Sequence, residues 1–209
     1  MSNNTEITPL TEQLENKAST KRRSAAKKLR KLKAIEAGPA LLSALKQELK
    51  DKRTWETQYQ MIMALGESEY TDSLDFLTEL AEQVFEATMV YVALGDAITR
   101  LTYSATNSIH GVTRFIGKDN NSLFIDGLIR AIAMLKLTPE EKDIHKIISY
   151  GSSPDTSDNN RTWIASAAAG WQGNEVECFL NNCIASDNQQ TKKAAEAALN
   201  NKYLKWSIL

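Results

Sequence analysis

The sequence predicts an all-α fold built from repeated helical hairpins. Apolar residues recur at helical spacing along most of the chain, whereas the alternating pattern typical of strands is nearly absent. The four prolines and nine glycines fall almost entirely between these apolar runs, where they are expected to end one helix and begin the next. In addition, an alanine-rich helix followed by a short polar turn and a second apolar run occurs several times.

Residues 1–17 are polar and are predicted to form a tail or a capping helix ahead of the repeats. The repeated pattern begins after them, within residues 18–209. Its copies are Ser24–Leu49, Gln60–Leu80, Val90–Leu101, Ile129–Ile148, Trp163–Ile184 and Lys192–Trp206.

Equivalent positions in these copies are about one helical hairpin apart. The intervals are 33, 29, 41, 34 and 30 residues between Leu32, Leu65, Leu94, Leu135, Ala169 and Leu199. Two antiparallel helices of ordinary length with their turns need roughly 30 residues. The longest interval contains residues 103–122, which we expect to form an irregular repeat. The pattern therefore predicts about six hairpins, the last of them incomplete.

Three segments carry the repeat signature most clearly: ALGESEYTDSLDFL, VYVALGDAITRL and AAAGWQGNEVECFL. They resemble HEAT repeats, in particular the short HEAT-like kind with an A-x-A-L-G signature, and the resemblance extends over residues 21–203. It implies a right-handed α-α superhelix, a HEAT-like solenoid whose second helices line a concave surface. It also implies a binding scaffold, because the signature contains no catalytic residues.

Composition limits the classes of function. The chain has 209 residues, a net charge of -1 and 42% hydrophobic residues, as ordinary soluble globular proteins do. No apolar run approaches the roughly 20 residues of a membrane-spanning helix, and the N-terminus lacks the apolar core of a signal peptide. Cys178 and Cys183 point in different directions on one predicted helix, which disfavours a mutual disulfide. These features predict a cytoplasmic protein without membrane insertion.

The most basic segment is Lys17–Lys33, with nine basic residues and no acidic one. On a helix, Ala25, Leu29 and Leu32 share one face, which leaves the basic side chains on the remaining surface. That surface could bind nucleic acid or an anionic membrane, although no aromatic residue is present to stack on bases. A merely solvated helix is the third interpretation. The nucleic-acid-binding candidates are Lys21, Arg22, Arg23, Lys27, Lys28, Arg30 and Lys31.

The second helices of the repeats offer a different surface. Their apolar residues, such as Leu77, Leu80 and Val84, are predicted to face the core, so polar and mostly acidic residues remain outside. Such a surface suits a partner protein that is basic, although exposed polar residues are also the default on any protein. The protein-binding candidates are Asp75, Glu79, Glu82, Gln83, Asp143, His145, Lys146, Glu175, Asn181 and Asn182.

Signals for an enzyme or a metal site are weak. Trp163 and Trp171 with Arg161 invite comparison with HEAT-like alkylpurine DNA glycosylases, but aromatic residues at helical spacing are more often core residues. His145 and Glu141 could share a metal ion, yet two ligands do not make a site, and no phosphate-binding glycine loop occurs. We therefore expect no enzymatic activity, no cofactor and no metal, with the DNA glycosylase as a remote alternative.

Together these patterns predict a non-enzymatic helical-repeat scaffold that binds another protein, as a regulator, an assembly factor or a toxin-neutralising protein. Nucleic-acid binding through residues 17–33 is the alternative. The apolar C-terminus, Leu204–Leu209, is expected to cap its own solenoid or to contact a second copy of the chain in a homo-oligomer.

Overall fold

The computed structural model describes residues 4–117 and 120–205, and every regular element in these ranges is helical. The described chain contains twelve α-helices and four short 3₁₀ segments. The predicted all-α, helical-repeat fold is therefore confirmed. The chain forms two compact units, Met1–Asn107 and Ser108–Leu209, which we call unit 1 and unit 2. A helix long and apolar enough to cross a bilayer does not occur in the described ranges.

The described part of unit 1 consists of two layers of helices. The helices are α1 (Asn4–Gln13), α2 (Ser19–Leu32), α3 (Gly38–Glu48), α4 (Trp55–Glu67), α5 (Leu74–Leu80) and α6 (Thr88–Thr106). α4 packs between α2 and α6 in the first layer. In the second layer, α1, α3 and α5 each pack against the first-layer helix that follows them in the chain. The segment predicted as a tail or a capping helix thus contains α1.

Small residues allow the first-layer helices to approach closely, as the alanine-rich pattern indicates. Ala64 and Ala93 are fully buried in α4 and α6. A Cβ atom added to Gly66 of α4 would lie only 2.6 Å from the Cα atom of Ala97 on α6. The two backbones therefore come together at a point where no side chain fits.

Unit 2 has a similar arrangement of helices, but its first helix has only four residues. Its described helices are α7 (His110–Thr113), α8 (Ser122–Leu135), α9 (Glu141–Gly151), α10 (Asp158–Ala167), α11 (Asn174–Ile184) and α12 (Gln189–Leu199). α10 packs between α8 and α12, and α11 packs against α12. The segment 103–122 contains the end of α6, the four-residue α7 and the first residue of α8. Lys118 and Asp119 lie outside the described residues.

Charged pairs join α2 to α3 and to α4 in unit 1. Arg22 of α2 donates from Nε to Oε2 of Glu48 at 2.5 Å, and Arg30 lies 2.7 Å from Glu67 of α4. Glu48 is 3% exposed and also accepts a 2.6 Å hydrogen bond from Ser19. Burial raises the pKa of Glu48, but hydrogen bonds from Arg22, Ser19 and Thr54 outweigh it, so the pKa lies below its ordinary value.

Unit 2 joins its first-layer helices through different groups. Asn159 of α10 donates to the carboxylate of Asp126 on α8, and Thr162 of α10 lies 2.7 Å from the hydroxyl of Thr191 on α12. Asp126 is 4% exposed. Burial raises its pKa to about 6, against the opposing effects of Arg130 and of the Asn159 hydrogen bond. Both carboxylates carry a desolvation cost, but hydrogen bonds outweigh it at Glu48 and do not outweigh it at Asp126.

The C-terminal segment after α12 returns to its own unit. The Tyr203 hydroxyl lies so close to Gly170 that a Cβ atom there would be 2.3 Å away, and Lys136 Nζ lies 5.3 Å from the centre of the Tyr203 ring. Residues 206–209, which include most of the predicted apolar cap, lie outside the described residues.

Candidate protein-binding surface

The second helix α5 presents an acidic stripe, defined here as Asp75, Glu79 and Glu82. All three side chains are exposed, as is Gln83 beside them. Their spacing of four and three residues places them along one side of the helix and its final turn. Within the described residues, none of the three forms an ion pair, so the stripe holds three uncompensated carboxylates.

Buried apolar residues fix the position of α5. Leu77 is fully buried and Leu80 is 3% exposed, and Phe76 lies under the ammonium group of Lys46 on α3, 4.9 Å from the ring centre. The prediction that Val84 also faces the core is wrong, since this side chain is 88% exposed. The reason is that α5 ends at Leu80, so the helical spacing does not continue to Val84.

The second helices of unit 2 are less uniformly acidic. His145 of α9 lies 2.7 Å from the Glu175 carboxylate on α11, so the predicted candidate Glu175 is already engaged. Lys146 is exposed on α9, and Asn181 and Asn182 are exposed on α11. This surface therefore offers amide and ammonium groups beside the exposed carboxylates of Glu141 and Glu177.

Asp143 is not part of the exposed surface, and the prediction that placed it there is wrong. It is 2% exposed because it lies on the side of α9 that packs toward α7. Its Oδ1 atom accepts a 2.7 Å hydrogen bond from Thr113 and lies 3.1 Å from His110 Nδ1. The Asp143 carboxylate consequently holds α7 against α9.

A groove of about 780 Å³ follows the C-terminal half of α9 in unit 2. The predicted candidates His145 and Lys146 line it, together with Ser149 and Tyr150. The Tyr150 hydroxyl accepts a 2.8 Å hydrogen bond from the fully buried Asn160. Sequence reasoning missed Tyr150, because its partner lies in the next helix and the local pattern shows only an aromatic residue at a helix end.

The basic candidates of α2 divide into two groups. All three arginines contact glutamates: Arg22 contacts Glu48, Arg23 contacts Glu56 and Arg30 contacts Glu67. The lysines Lys21, Lys27, Lys28 and Lys31 are exposed. Arg30 is 8% exposed, which contradicts its placement on the outer surface.

Leu32 is also placed differently from the prediction. It is 38% exposed and does not join Ala25 and Leu29 in the core. α2 ends at this residue, and Lys33 after it adopts a left-handed conformation with φ of 48° that turns the chain away.

The aromatic and metal candidates take structural positions. Trp171 is 5% exposed, and its Nε1 atom donates to the Leu137 carbonyl oxygen at 2.9 Å. Arg161 donates to the carbonyl oxygens of Gly151 and Ser153. In the described ranges, no group of three or more His, Cys, Asp or Glu side chains is arranged to hold a metal ion.

Residues 21–47, which hold most of α2 and α3, match the model of the PBS lyase HEAT-like repeat. This segment is similar to a HEAT-like repeat. The predicted resemblance to HEAT-like repeats is confirmed there, and residues 21–47 contain both the arginines that contact glutamates and the exposed lysines of α2. A comparison with curated proteins finds no match.

Solved structures of two designed armadillo repeat proteins and of one enzyme are similar to this chain at low identity. A designed armadillo repeat protein is 19% identical over 93% of this chain and 99% of that chain, with a TM-score of 0.48. A computationally designed armadillo repeat protein for modular peptide recognition is 20% identical over 94% and 99%, with a TM-score of 0.47. Human deoxyhypusine hydroxylase is 12% identical over 93% and 83%, with a TM-score of 0.41. These likenesses indicate neither a partner nor an activity for this chain.

Proposed function

We propose that this protein is a non-enzymatic scaffold that binds a partner protein with a basic surface through exposed side chains of its second helices. The observation that carries the proposal is the acidic stripe of α5. Its three carboxylates are exposed and have no ion-pair partner among the described residues; Asp75 and Glu79 lie one turn apart on α5, and Glu82 lies in the turn that follows it.

The surroundings of the stripe strengthen its negative potential. Residues 54–99 contain nine acidic residues and no lysine or arginine. Outside the stripe, several of these charges are compensated: Glu56 by Arg23, Glu67 by Arg30 and Glu86 by Lys52. Five exposed carboxylates of this segment form no ion pair within the described residues, namely Glu69, Asp72 and the three of the stripe. A cationic partner would relieve the repulsion between neighbouring carboxylates of the stripe.

The stripe is also held in place before any partner arrives. Leu77 and Leu80 anchor α5 in the core, and the amides of Ala81 and Glu82 donate to carbonyl oxygens of the last helical turn. A surface that is already ordered loses little conformational entropy on binding. A rigid row of carboxylates favours a partner whose lysines or arginines are spaced to match it.

Unit 2 adds a second, more neutral surface to the proposed scaffold. Asn181, Asn182 and Lys146 are exposed and can form hydrogen bonds with a partner's main chain or side chains. Asp143 is excluded from this surface because it is buried. We infer that the protein acts in the cytoplasm, which the exposed free thiol of Cys178 supports.

The experiment that tests the proposal is affinity capture of partner proteins from the cell of origin, with nuclease treatment and at two salt concentrations. The stripe variant is Asp75→Asn/Glu79→Gln/Glu82→Gln, which removes three charges and preserves side-chain size. We expect the wild-type chain to retain one defined basic protein after nuclease treatment, and the stripe variant to lose it.

The matched control changes the same number of exposed carboxylates at other positions, as Glu6→Gln/Glu12→Gln/Asp187→Asn. It should retain the partner at the wild-type level, because the overall charge changes equally while the stripe stays intact. Equal retention by the stripe variant and the control would overturn the proposed site.

A further inference from the structure

The lysines and the arginines of α2 lie on different sides of the helix. Ala25, Ala26 and Leu29 are buried against the rest of unit 1, and the opposite side of the helix is exposed. We define the lysine face as the four exposed lysines on that opposite side, Lys21, Lys27, Lys28 and Lys31. At 3.6 residues per turn these four side chains fall within about one third of the helix circumference.

The arginines of the same helix already contact glutamates of unit 1. Arg22, Arg23 and Arg30 lie toward neighbouring helices and contact Glu48, Glu56 and Glu67, respectively. Arginine forms the planar, bidentate pairs that suit such contacts, whereas lysine is a flexible point charge. Within the described residues, no lysine of the lysine face forms an ion pair, so the fold itself uses the arginines and leaves the lysines unpaired.

Two exposed apolar side chains lie at the C-terminal end of α2 and just after it. Leu32 is 38% exposed and follows Lys28 by one helical turn, and Ile35 is 49% exposed just beyond the end of α2. They are two of the few large apolar side chains exposed in the described chain. Lysines beside exposed apolar groups form a combination that binds an anionic lipid surface, where both electrostatic attraction and apolar burial contribute.

We propose that the lysine face, together with Leu32 and Ile35, docks this protein on the anionic surface of a lipid bilayer. The lysines lie at the level of the lipid phosphates, and the two apolar side chains enter the interfacial region. α2 is already helical and packed in unit 1, so docking needs no folding of a disordered segment. This surface is separate from the acidic stripe, and the two proposals can succeed or fail independently.

The same features make nucleic acid the less suitable ligand. Aromatic side chains that stack on bases are absent from α2. The arginines, which would read base edges, are engaged in ion pairs. Leu32 and Ile35 form no favourable interaction with a phosphate backbone, whereas at a lipid surface both apolar side chains are removed from water.

Co-sedimentation of the full chain with lipid vesicles tests this proposal. One set of vesicles is phosphatidylcholine alone and the other contains about one third phosphatidylglycerol, a composition that gives a negative surface potential. We expect binding to the anionic vesicles only. Because each lysine near such a surface contributes about a fivefold change in affinity, Lys27→Glu/Lys28→Glu/Lys31→Glu should weaken binding by about 100-fold or more.

The control Lys192→Glu/Lys193→Glu/Lys202→Glu makes the same charge change in and after α12 and should affect vesicle binding by less than about threefold. If the glutamate variant of α2 loses its helical circular dichroism, the corresponding Lys→Gln variant replaces it.

Leu32→Ser/Ile35→Ser should reduce vesicle binding several-fold, and more strongly at high salt, where the apolar contribution dominates.

A parallel titration with duplex DNA distinguishes the two anionic surfaces. Tighter binding to DNA than to vesicles, unaffected by Leu32→Ser/Ile35→Ser, would overturn the lipid proposal in favour of nucleic acid. Equal binding to neutral and anionic vesicles, or no vesicle binding at all, would overturn it as well.

Discussion

The two units have the same helical plan but use different polar contacts between their helices. In unit 1, the buried Glu48 accepts charged hydrogen bonds from Arg22. In unit 2, the buried Asp126 accepts from the neutral amide of Asn159, and the pair formed by Thr162 and Thr191 is neutral. A buried carboxylate is thus stabilised as an anion in unit 1 and only partly compensated in unit 2.

This difference gives the two units opposite responses to acid. The pKa of Glu48 is lowered in the folded chain, so its contribution to stability is present at neutral pH and is lost as the pH falls. The pKa of Asp126 is raised to about 6, so its contribution is present at low pH and is lost as the pH rises through 6. Acid should therefore weaken contacts around Glu48 and strengthen those around Asp126.

The largest expected effect comes from overfilling the contact between α4 and α6 in unit 1. Gly66→Val places a branched side chain where even a Cβ atom would lie 2.6 Å from Ala97. We expect a loss of about 3 kcal/mol in the free energy of unfolding of unit 1. Urea unfolding, combined with hydrogen exchange of the α4 and α6 amides, measures this loss.

The control for this change is Gly117→Ala, since a Cβ atom there meets nothing within 4 Å. It should alter the free energy of unfolding by less than about 0.5 kcal/mol. Equal stability of Gly66→Val and the wild type would show that α4 and α6 can separate without cost, contrary to the close packing described above.

The next largest effect is expected from a substitution that removes the charged contact between Arg22 and Glu48 in unit 1. Glu48→Gln keeps the size of the side chain but leaves Arg22, which is 21% exposed, without its ionic partner. We expect a loss of about 2 kcal/mol at neutral pH, because one member of a mostly buried pair is left uncompensated. Urea unfolding at pH values below the ordinary pKa of 4.5 should show a smaller difference from the wild type.

Asp51→Asn is the matched control for Glu48→Gln. Asp51 also contacts an arginine, Arg53, but these side chains are 42% and 89% exposed, respectively, and such pairs contribute little. A loss as large as that of Glu48→Gln would mean that burial is not what makes the Glu48 contact important.

A third, smaller effect concerns Asp126 in unit 2. Between about pH 5 and about pH 7, the raised pKa of Asp126 should cost roughly 1 kcal/mol of stability as the carboxyl ionises. Asp126→Asn should remove this slope, because an amide does not titrate in this range. Hydrogen exchange of the α8 and α10 amides across this pH range measures the slope, and the exposed Asp187→Asn should leave it unchanged.

Local patterns predicted most of the helices but few of the contacts that join them. Leu65 and Leu94, spaced by one repeat, are both fully buried, because helical periodicity and repeat length can be recognised in a single chain. The partners of Arg30 and His145 lie 37 and 30 residues away. Their pairing depends on the adjacent repeat, and a search for opposite charges one repeat apart could have found both.

The errors in the predicted site arose at helix ends and helix sides. Val84 was assigned to the core by continuing the α5 spacing beyond Leu80, where the helix ends. Asp143 was assigned to the surface because it is charged, although it lies beside Ile144 and Ile147 on the packed side of α9. Neither error could be corrected without knowing where a helix stops and what it packs against.

The smallest expected effect tests whether the acidic stripe is strained by its own charge. Asp75 and Glu79 are one helical turn apart on α5, and like charges at this spacing repel each other. Glu79→Gln should therefore stabilise unit 1 by about 0.3 kcal/mol at low salt, and the gain should disappear at high salt. Differential scanning calorimetry at two ionic strengths measures it, with Glu12→Gln on α1 as the control. A loss of stability at low salt would mean that the fold, and not a partner, uses the Glu79 carboxylate, and the stripe would then be a structural feature of α5.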